Sequence, residues 1–573
     1  MRSTTRASLQ RHLPFLRWPR PTRDLLANEL WAGVTVGLLL VPQGAAYASV
    51  AGMPLITGIY ASLLPALIAV LFSSSSRLGV GPTALSSLLI GASLVGLAPP
   101  GSAQWVTLAV WLSLLSGLFQ ILLGLGRFGW LLNLVSSPVM NGFTQAAAWL
   151  IVASQLPALV GASGDFSLLV RRPYVYEEAL AYGLGAIALL MAAKRWHSRF
   201  PAAIVVVTLS ALASRWTGYE SRGGAVVGDL PAGLPSLSLP SMIDAATFAS
   251  LLLPALVITL MSFLETASSA RVDHQQAGTR WDENQDLLAQ GMGKIASGLS
   301  GAFPTSASFS RSAINLYAGA RTGYSTIFSV LLVLTLLQWF IPVLHHVPQS
   351  VLAAVVLTAV FGLIRPRQLN ALWRFSRAEA CIGWLTFACT LATAPRIHWG
   401  VLTGLLLGLG HFLYQRLHPR IIEVGIHADG SLRDRHLWTL PPIAPRLFAL
   451  RMDAALDFAS ASAFERAITD HLAAHPDIRH VCVFAQPMNW IDATGIEFFA
   501  QILRLLEARG VTLHLSGLKL PVDATLRKAG VLVEGDLLRT YRTDAEAVST
   551  LSALTVRPAD NPHVAQDVLA APS

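Results

Sequence analysis

The stretch FPTSASFSRS at residues 303–312 places five hydroxyl side chains and one arginine between two long apolar runs. The first backbone amides of a helix have no partner within that helix and form the positive end of its dipole. Hydroxyl side chains can cap these amides, and the amides themselves can bind an anion. On a helix that begins near Thr305, spacing of three to four residues puts four polar residues on one face: Ser308, Arg311, Ser312 and Asn315. The sequence therefore predicts an anion site at this helix start.

Arg311 would add positive potential to that site. An arginine at the lipid-exposed centre of a helix costs roughly 2.5–3.5 kcal/mol, so Arg311 should face protein or a water-filled cavity. Two structural alternatives remain open at this point. The side chain could form a buried salt bridge, or its head group could reach the membrane surface.

Glu265, in ITLMSFLETASSA, is an acid well inside an apolar run. An intramembrane carboxylate indicates function, because burying a charge in a bilayer is costly. Glu265 is predicted to bind a coupling proton or Na⁺; pairing with Arg311 and a purely structural ion pair are the alternatives. Gln43 and Tyr47 lie one turn apart in LLLVPQGAAYASV and could bond a substrate or join two helices.

Two short, Pro-containing runs repeat one another at a constant offset in residue number. Four pairs match: Gly79 with Gly301, Pro82 with Pro304, Thr83 with Thr305, and Ser86 with Ser308. The same offset relates Gln43 to Glu265. Interrupted spans at corresponding positions of two halves indicate the binding site of a transporter. The sequence predicts two inverted repeats, at about 30–217 and 249–416.

The composition indicates a membrane protein, since 53% of the 573 residues are hydrophobic and 13% are charged. About fifteen apolar runs follow one another, and merging the two runs between residues 128 and 160 gives fourteen membrane-spanning segments in a 7+7 arrangement. Six arginines in residues 1–29 predict a basic cytoplasmic tail. An even number of spans then puts both termini in the cytoplasm and makes the chain a multi-pass protein of the cytoplasmic membrane.

After Tyr414 the sequence becomes polar and then alternates between strand and helix patterns. This pattern predicts a linker at 417–436, a small cytoplasmic α/β domain at 437–552 and a disordered tail at 553–573. The three cysteines are too scattered for a zinc site or a disulfide framework, and the sequence predicts no metal site and no cofactor beyond a coupling Na⁺ or H⁺. The basic residues cluster in the tail and short loops, which argues against nucleic-acid binding.

Four ordered motifs resemble the SulP family of anion transporters, the sulfate-permease group. They are VPQGAAYASVAGMPLITGIYAS (41–62), GVGPTALSSLLIG (79–91), DENQDLLAQGMGKIASGLSGAFPTSASFSRSAIN (282–315) and NWIDATGIEFF (489–499). The resemblance implies a fourteen-helix inverted-repeat membrane domain with two half-helices in the third and tenth spans, and a C-terminal STAS domain. It also implies a homodimer and transport by elevator-like movement of a core domain. The chain would then be a transporter and not an enzyme.

The resemblance also implies site residues, by position within the motifs. Those of the substrate site would be Gln43, Tyr47, Thr83, Ala84, Ser86, Ser306, Ala307, Ser308 and Arg311. Glu265 stands where many bacterial members have an acid linked to cation coupling. In the STAS domain, Asp492–Ala493–Thr494–Gly495 matches a motif whose phosphorylated serine is replaced here by alanine. Thr494 remains a possible regulatory acceptor, although capping of the following helix is the simpler role.

The predicted function is secondary active transport of a small anion such as sulfate, bicarbonate or a dicarboxylate, coupled to H⁺ or Na⁺. The predicted partners are the anion, the coupling cation, the bilayer, a second copy of the chain and proteins that contact the STAS domain. Two alternatives share this architecture. One is a nucleobase/proton symporter, against which Arg311 and the STAS domain argue. The other is an anion channel or exchanger gated by the STAS domain.

Overall fold

The computed structural model describes residues 13–162, 166–171, 174–196, 201–231, 233–339 and 341–553. The predicted basic tail up to residue 12 and the predicted disordered tail from residue 554 lie outside these ranges. The chain divides into two units, one up to Leu409 and the other from Gly410.

The first half of the membrane unit is almost entirely helical. Its elements are α1 Arg23–Val50, α2 Leu55–Tyr60, α3 Leu64–Phe72, β1 Val80–Gly81, α4 Ala84–Leu94, α5 Ala103–Leu125, α6 Ser137–Leu159, α7 Phe166–Arg171, α8 Glu177–Trp196 and α9 Ala202–Thr217. Short 3₁₀ turns occur at Pro14–Arg17, Gly129–Leu134 and Glu220–Arg222.

The second half also begins with a long helix and contains a two-residue strand that leads into a short helix. Its elements are α10 Ala245–Ala277, α11 Glu283–Leu299, β2 Ser306–Ala307, α12 Phe309–Tyr317, α13 Tyr324–Trp339, α14 Ile341–His345, α15 Gln349–Val360, α16 Pro366–Ala371, α17 Arg377–Ala392 and α18 His398–Leu417, with a 3₁₀ turn at Leu372–Arg374.

The first helix of each half begins at a side-chain cap. The Thr22 hydroxyl accepts from the Leu25 amide, and the Asp244 carboxylate accepts from the Thr247 amide. Thr22 and Asp244 are separated by the same offset that relates Gly79 to Gly301, so this offset also describes the opening helices of the two halves. Helix α1 begins at Arg23, so the first helix starts earlier than the predicted span at residue 30.

Four described segments are long and apolar enough to cross a bilayer by length and composition: Arg23–Val50, Leu55–Phe72, Ala103–Leu125 and Ala245–Ala277. Shorter apolar helices accompany them at Ala84–Leu94, Ala202–Thr217, Tyr324–Trp339 and Gln349–Val360. The two apolar runs predicted between residues 128 and 160 form a 3₁₀ turn followed by the single helix α6.

Glycines allow helices from the two halves to pack backbone against backbone. A Cβ atom at Gly33 of α1 would lie 2.5 Å from the Ser325 carbonyl oxygen of α13. Likewise, a Cβ at Gly117 of α5 would lie 2.8 Å from the Gly291 carbonyl oxygen of α11. Small residues at such crossings are typical of membrane helices, where close van der Waals contact drives association. The two halves therefore interlock and share one core.

The second unit is built on a six-stranded sheet. Its strands are β3 Ile421–Ile426, β4 Leu432–Asp434, β5 Leu447–Met452, β6 His480–Phe484, β7 Thr512–Ser516 and β8 Leu538–Tyr541, in the order β4-β3-β5-β6-β7-β8. Strands β5 to β8 are parallel, and β3 is antiparallel to both neighbours. The helices are α19 Ala461–Ala474, α20 Ala493–Ala508, α21 Leu520–Lys528 and α22 Asp544–Ala553.

The predicted linker at 417–436 is wrong, because it contains β3 and β4. Strand β3 pairs with β5, for example Ile421 with Met452, and Val424 is buried in the sheet core. In IIEVGI the polar Glu423 lies between the apolar Ile422 and Val424, and this alternation is a strand signal. The prolines before and after the segment favoured the linker interpretation instead. The α/β unit thus includes residues from Ile421 onward.

Candidate functional site

The two Pro-containing runs meet each other through their backbones. Strands β1 and β2 pair antiparallel, with Val80 opposite Ala307 and Gly81 opposite Ser306. The Ser308 amide also donates to the Gly79 carbonyl oxygen at 2.9 Å. Each strand leads directly into a short helix, α4 of 11 residues and α12 of nine. The starts of two short helices from different halves therefore lie side by side.

The second of these helices begins later than its sequence predicts. Helix α12 starts at Phe309 with Ser308 as its N-cap residue, whereas the prediction put the start near Thr305. Residues 306–307 extend instead, because they pair with β1. The sequence offset matches Thr83 with Thr305, but the N-cap residue that corresponds to Thr83 in the structure is Ser308, three positions further on.

Glu265 of α10 lies at the start of α4. The Thr83 hydroxyl donates to Glu265 Oε2 at 3.0 Å, and the Ser86 hydroxyl approaches the same oxygen at 3.4 Å. Thr83 Oγ1 also accepts from the Ser86 amide and so caps α4. A carboxylate is favourable at this position because the first turn of a helix has a positive potential. Three predicted site residues are thus in direct contact, and Glu265 bonds to hydroxyls here, not to a cationic side chain.

Arg311 of α12 is buried, with 1% of its surface exposed. Its Nη1 donates to the Pro82 carbonyl oxygen at 2.8 Å. Its Nε and Nη2 have no hydrogen-bond partner, although a buried guanidinium ordinarily satisfies its donors. The Nη2 atom lies beside Gly81, 3.4 Å from where a Cβ of residue 81 would be. Neither a salt bridge within the described residues nor a head group at the membrane surface accounts for this side chain.

The first helix contributes further polar groups without protein partners. The Oε1 atom of Gln43 is buried and unbonded, and so is the hydroxyl of Thr305 just before β2. The buried Tyr47 ring lies one turn beyond Gln43 on the same helix. Unsatisfied buried groups point to a ligand or to water that completes their bonds.

The remaining predicted site residues lie on α4, on β2 and just before α12. Ala84 is the first residue of α4, and Ala307 is fully buried in β2. The Ser306 hydroxyl donates to the Ser262 carbonyl oxygen at 3.1 Å and ties β2 to α10. The Ser308 hydroxyl contacts Ser310 Oγ at 3.2 Å and does not cap α12. The structure thus places all the predicted membrane-site residues on α1, α10 and the two crossing segments.

Sequence reasoning missed Lys294 of α11. This side chain is fully buried, and its Nζ donates to Gln120 Oε1 and to Ser262 Oγ, both at 2.7 Å. Ser262 precedes Glu265 by one helical turn, so Lys294 joins the same polar region. The motif that contains Lys294 was recognised, but a lysine in a segment with several polar residues is usually an exposed one.

Glu29 of α1 is a further acid, and its partners lie in the other half of the membrane unit. The side chain is fully buried. Its oxygens accept from the amides of Arg321, Thr322 and Ser325 at 2.8–3.0 Å. These amides open α13, so Glu29 caps a helix of the other half.

Two predictions concern residues away from this region. Asp492, not Thr494, caps α20, since its carboxylate accepts from the Gly495 amide at 2.7 Å. The regulatory role of Thr494 stays a prediction. No metal site was expected, yet the structure groups Glu220, His345 and His346, whose ligand atoms lie within 4.8 Å of one another. Arg215 Nη1 lies 3.4 Å from His346 Nε2 in this group, so a guanidinium competes with any cation there.

Solved structures with the same fold are membrane transporters. The structure of murine solute carrier 26 family member A9, described as an anion transporter in the inward-facing state, has a TM-score of 0.86 at 19% identity and covers 96% of this chain and 95% of that chain. The transmembrane domain of a cyanobacterial bicarbonate transporter, BicA, has a TM-score of 0.57 at 22% identity, over 68% of this chain and 99% of that one. At these identities the likeness establishes the fold, which is that of a multi-pass membrane transporter.

Sequence comparisons define the family. Residues 26–386 match the profile of the Sulfate permease family, and residues 441–547 match that of the STAS domain. Probable sulfate transporter 4.2 of Arabidopsis thaliana is 31% identical over 551 residues, 91% of this chain and 80% of that protein. Probable sulfate transporter MT1781 of Mycobacterium tuberculosis is 29% identical over 522 residues, 89% and 92% of the two chains. The chain belongs to the sulfate permease family, which confirms the resemblance; it is an anion transporter and not an enzyme.

Proposed function

We propose that the protein is a secondary active transporter that moves a small anion past Arg311 and the start of helix α4. The observation that carries this proposal is the buried Arg311 guanidinium, two of whose nitrogens lack partners beside the helix start. Arginine presents several donors in a fixed plane and suits oxyanions that accept two bonds at once. The unbonded Gln43 Oε1 and Thr305 Oγ1 lie on segments that flank the same region.

Sulfate is the substrate we favour, with bicarbonate and dicarboxylates as the next candidates. Both curated relatives described above are named as probable sulfate transporters, and the bicarbonate transporter shares the membrane fold. Sulfate and bicarbonate are both oxyanions that backbone amides, hydroxyls and a guanidinium can bind.

The proposed architecture has fourteen membrane crossings in two inverted halves. In this proposal α4 and α12 are half-helices whose starts meet near the middle of the bilayer. Their lengths of 11 and nine residues correspond to roughly 14–17 Å at about 1.5 Å per residue, half the thickness of a hydrocarbon core. The antiparallel pairing of β1 with β2 supports opposite directions for the helices that follow.

Transport would follow alternating access with H⁺ or Na⁺ as the coupling ion. Glu265 is the proposed coupling residue because its carboxylate touches Thr83 and Ser86 at the anion site. A bound cation or proton there would stabilise an anion a few ångströms away. An elevator-like movement of a core that contains α1, α4, α10 and α12 would carry the anion and the coupling ion together. The protein would act as a homodimer.

The proposed setting is the cytoplasmic membrane with both termini inside. The arginines of residues 1–29 favour the cytoplasmic side for the N-terminus. The α/β unit, predicted as 437–552 and extended here to Ile421, would then lie in the cytoplasm and modulate transport through contacts with other proteins, with Thr494 as a candidate acceptor.

Uptake into proteoliposomes tests this function. Labelled sulfate, bicarbonate, a dicarboxylate and uracil are offered with and without a pH or Na⁺ gradient. We expect gradient-driven sulfate uptake that Glu265→Gln abolishes while sulfate exchange without a gradient remains. Uptake of uracil alone would favour a nucleobase symporter, and conduction without saturation would favour a channel. Gradient dependence that is unchanged in Glu265→Gln would contradict the coupling role.

A further inference from the structure

Lys294 is a buried cation that has no carboxylate within 4 Å in the described part of the chain. Its two hydrogen-bond acceptors, Gln120 Oε1 and Ser262 Oγ, are neutral. Gln120 is itself held in place, because its Nε2 donates to Ser262 Oγ at 3.0 Å. An ammonium group can donate three hydrogen bonds, and burying its charge is costly unless opposite charge is near. The position of Lys294 therefore calls for a counter-charge that its direct partners do not provide.

Helix packing fixes this position and prevents the side chain from reaching the membrane surface. Helices α5 and α11 cross at Gly117 and Gly291, and a Cβ at Gly117 would lie 3.0 Å from Lys294 Cβ. The Ser113 hydroxyl donates to the Lys294 carbonyl oxygen at 2.8 Å and joins the same two helices. Lys294 thus extends between α5 and α10, with no exposed surface.

Glu265 is the carboxylate closest along this network. It follows Ser262 by three residues on α10, and residues at this spacing are neighbours on a helix, with Cβ atoms about 5–6 Å apart. Ser262 accepts a hydrogen bond from Lys294 Nζ at 2.7 Å, so the ammonium group lies about one helical turn from Glu265. Helices α3 and α5, which pack on α11, have no ionisable side chain. Helix α10 adds further charged groups only toward its end: Arg271, Asp273 and His274.

The charges in this region do not balance without a ligand. Arg311 and Lys294 are buried cations. Arg311 bonds the carbonyl oxygen of Pro82, next to the Thr83 that bonds Glu265, and Lys294 bonds Ser262, one turn before Glu265 on α10. The formal sum is one positive charge, which an anion would neutralise. A Na⁺ ion at Glu265 would compete with Lys294 for the same carboxylate and would be repelled by it, whereas a proton binds one carboxylate oxygen covalently. A bound anion alone therefore neutralises the charge of this site.

We propose that Lys294 is the built-in counter-cation of Glu265 and takes the electrostatic place that a bound Na⁺ would otherwise occupy. The inference rests on the proposed anion transport and removes Na⁺ as its coupling ion. Anion binding then needs no Na⁺, and a proton on Glu265 or exchange against a second anion remains as the means of coupling. Lys294 acts through Glu265 and is a positioning residue, not a ligand of the substrate.

Binding and exchange of labelled sulfate by the full-length protein test this inference. Wild type should bind sulfate equally well in Na⁺ and in choline at pH 7.5. Lys294→Gln should weaken sulfate binding by roughly tenfold or more at pH 7.5, because it leaves Glu265 uncompensated. Binding by Lys294→Gln should recover on addition of Glu265→Gln, which removes the uncompensated charge. Lys528→Gln, at an exposed lysine of the α/β unit, is the matched control.

The outcomes separate this inference from the proposed function. Strict Na⁺ dependence of sulfate binding in wild type overturns the inference. This test needs no variant, so it can be carried out even if Lys294→Gln does not fold. Equal losses in Lys294→Gln and in the double variant also overturn it, because they indicate a purely structural role. Absence of sulfate binding and of uptake by wild type under every gradient overturns the proposed function instead.

Discussion

At the scale of single residues, the sequence identified one of the two buried cations and missed the other. Arg311 was identifiable because it follows a proline and several hydroxyl residues between apolar runs, where an arginine is rare since burying its charge is costly. Lys294 lies in ENQDLLAQGMGKIASGL, whose polar residues are typical of a helix with one exposed face. The available signal was the pair of glycines at 291 and 293, since small residues near a lysine indicate close helix contact at that point.

The unpartnered donors of Arg311 predict its effect on anion binding. Arg311→Gln removes at least one charge-assisted hydrogen bond worth about 1.5–3 kcal/mol, so sulfate affinity should fall by at least roughly 10- to 150-fold. Arg311→Lys keeps the charge but not the planar set of donors and should give an intermediate loss. Equilibrium binding of labelled sulfate to purified protein measures both.

Arg321→Gln is the control for this comparison, because Arg321 is exposed shortly after α12. It should bind sulfate as wild type does. A well-folded Arg311→Gln protein with wild-type affinity would show that the guanidinium does not face the anion.

At the scale of elements, the long helices were predictable and the two-residue strands were not. Apolar runs specify α1, α5 and α10 because a bilayer-spanning helix needs mainly apolar length. Strands β1 and β2 form because each supplies the other with backbone partners from the opposite half of the membrane unit, as Val80 does for Ala307. No local sequence pattern predicts such a strand pair. Because residues 306–307 belong to the pair, α12 begins only at Phe309.

The cap that Glu29 provides to α13 predicts a stability effect. Glu29→Gln would turn an NH₂ group toward at least one of the amides that the carboxylate now accepts. An unsatisfied buried donor costs about 1–3 kcal/mol, so the free energy of unfolding should decrease by a similar amount. Thermal unfolding of the detergent-purified protein should show a lower midpoint.

Asp24→Asn provides the matched comparison on the same helix, since Asp24 is exposed in the first turn of α1. Its midpoint should stay near that of wild type. Equal midpoints for Glu29→Gln and wild type would mean that the cap between the two halves contributes little.

At the scale of the whole molecule, the sequence offset describes the first helices of the two halves but not the starts of their short helices. Thr22 and Asp244 open the two halves at the offset found in the sequence, whereas Thr83 and Ser308, the residues at the N-cap positions of the short helices, lie further apart than that offset. The second half therefore has extra residues before its short helix, and those residues bring Ser306 to α10. This difference gives the two helix starts different chemistry, with Glu265 at one and Arg311 on the other.

The division of the chain into two units predicts where it can be cut. The proposed site lies between Gln43 and Arg311, so a protein that ends at Leu417 retains every residue of it. We expect this truncated protein to bind labelled sulfate with the affinity of the full chain, whatever happens to its rate of transport. A protein that ends at residue 430 should aggregate more, because this cut leaves β3 without β5 and exposes an unpaired strand edge. Size-exclusion chromatography followed by sulfate binding distinguishes the two cuts. Loss of binding in a monodisperse protein that ends at Leu417 would mean that the α/β unit forms part of the anion site.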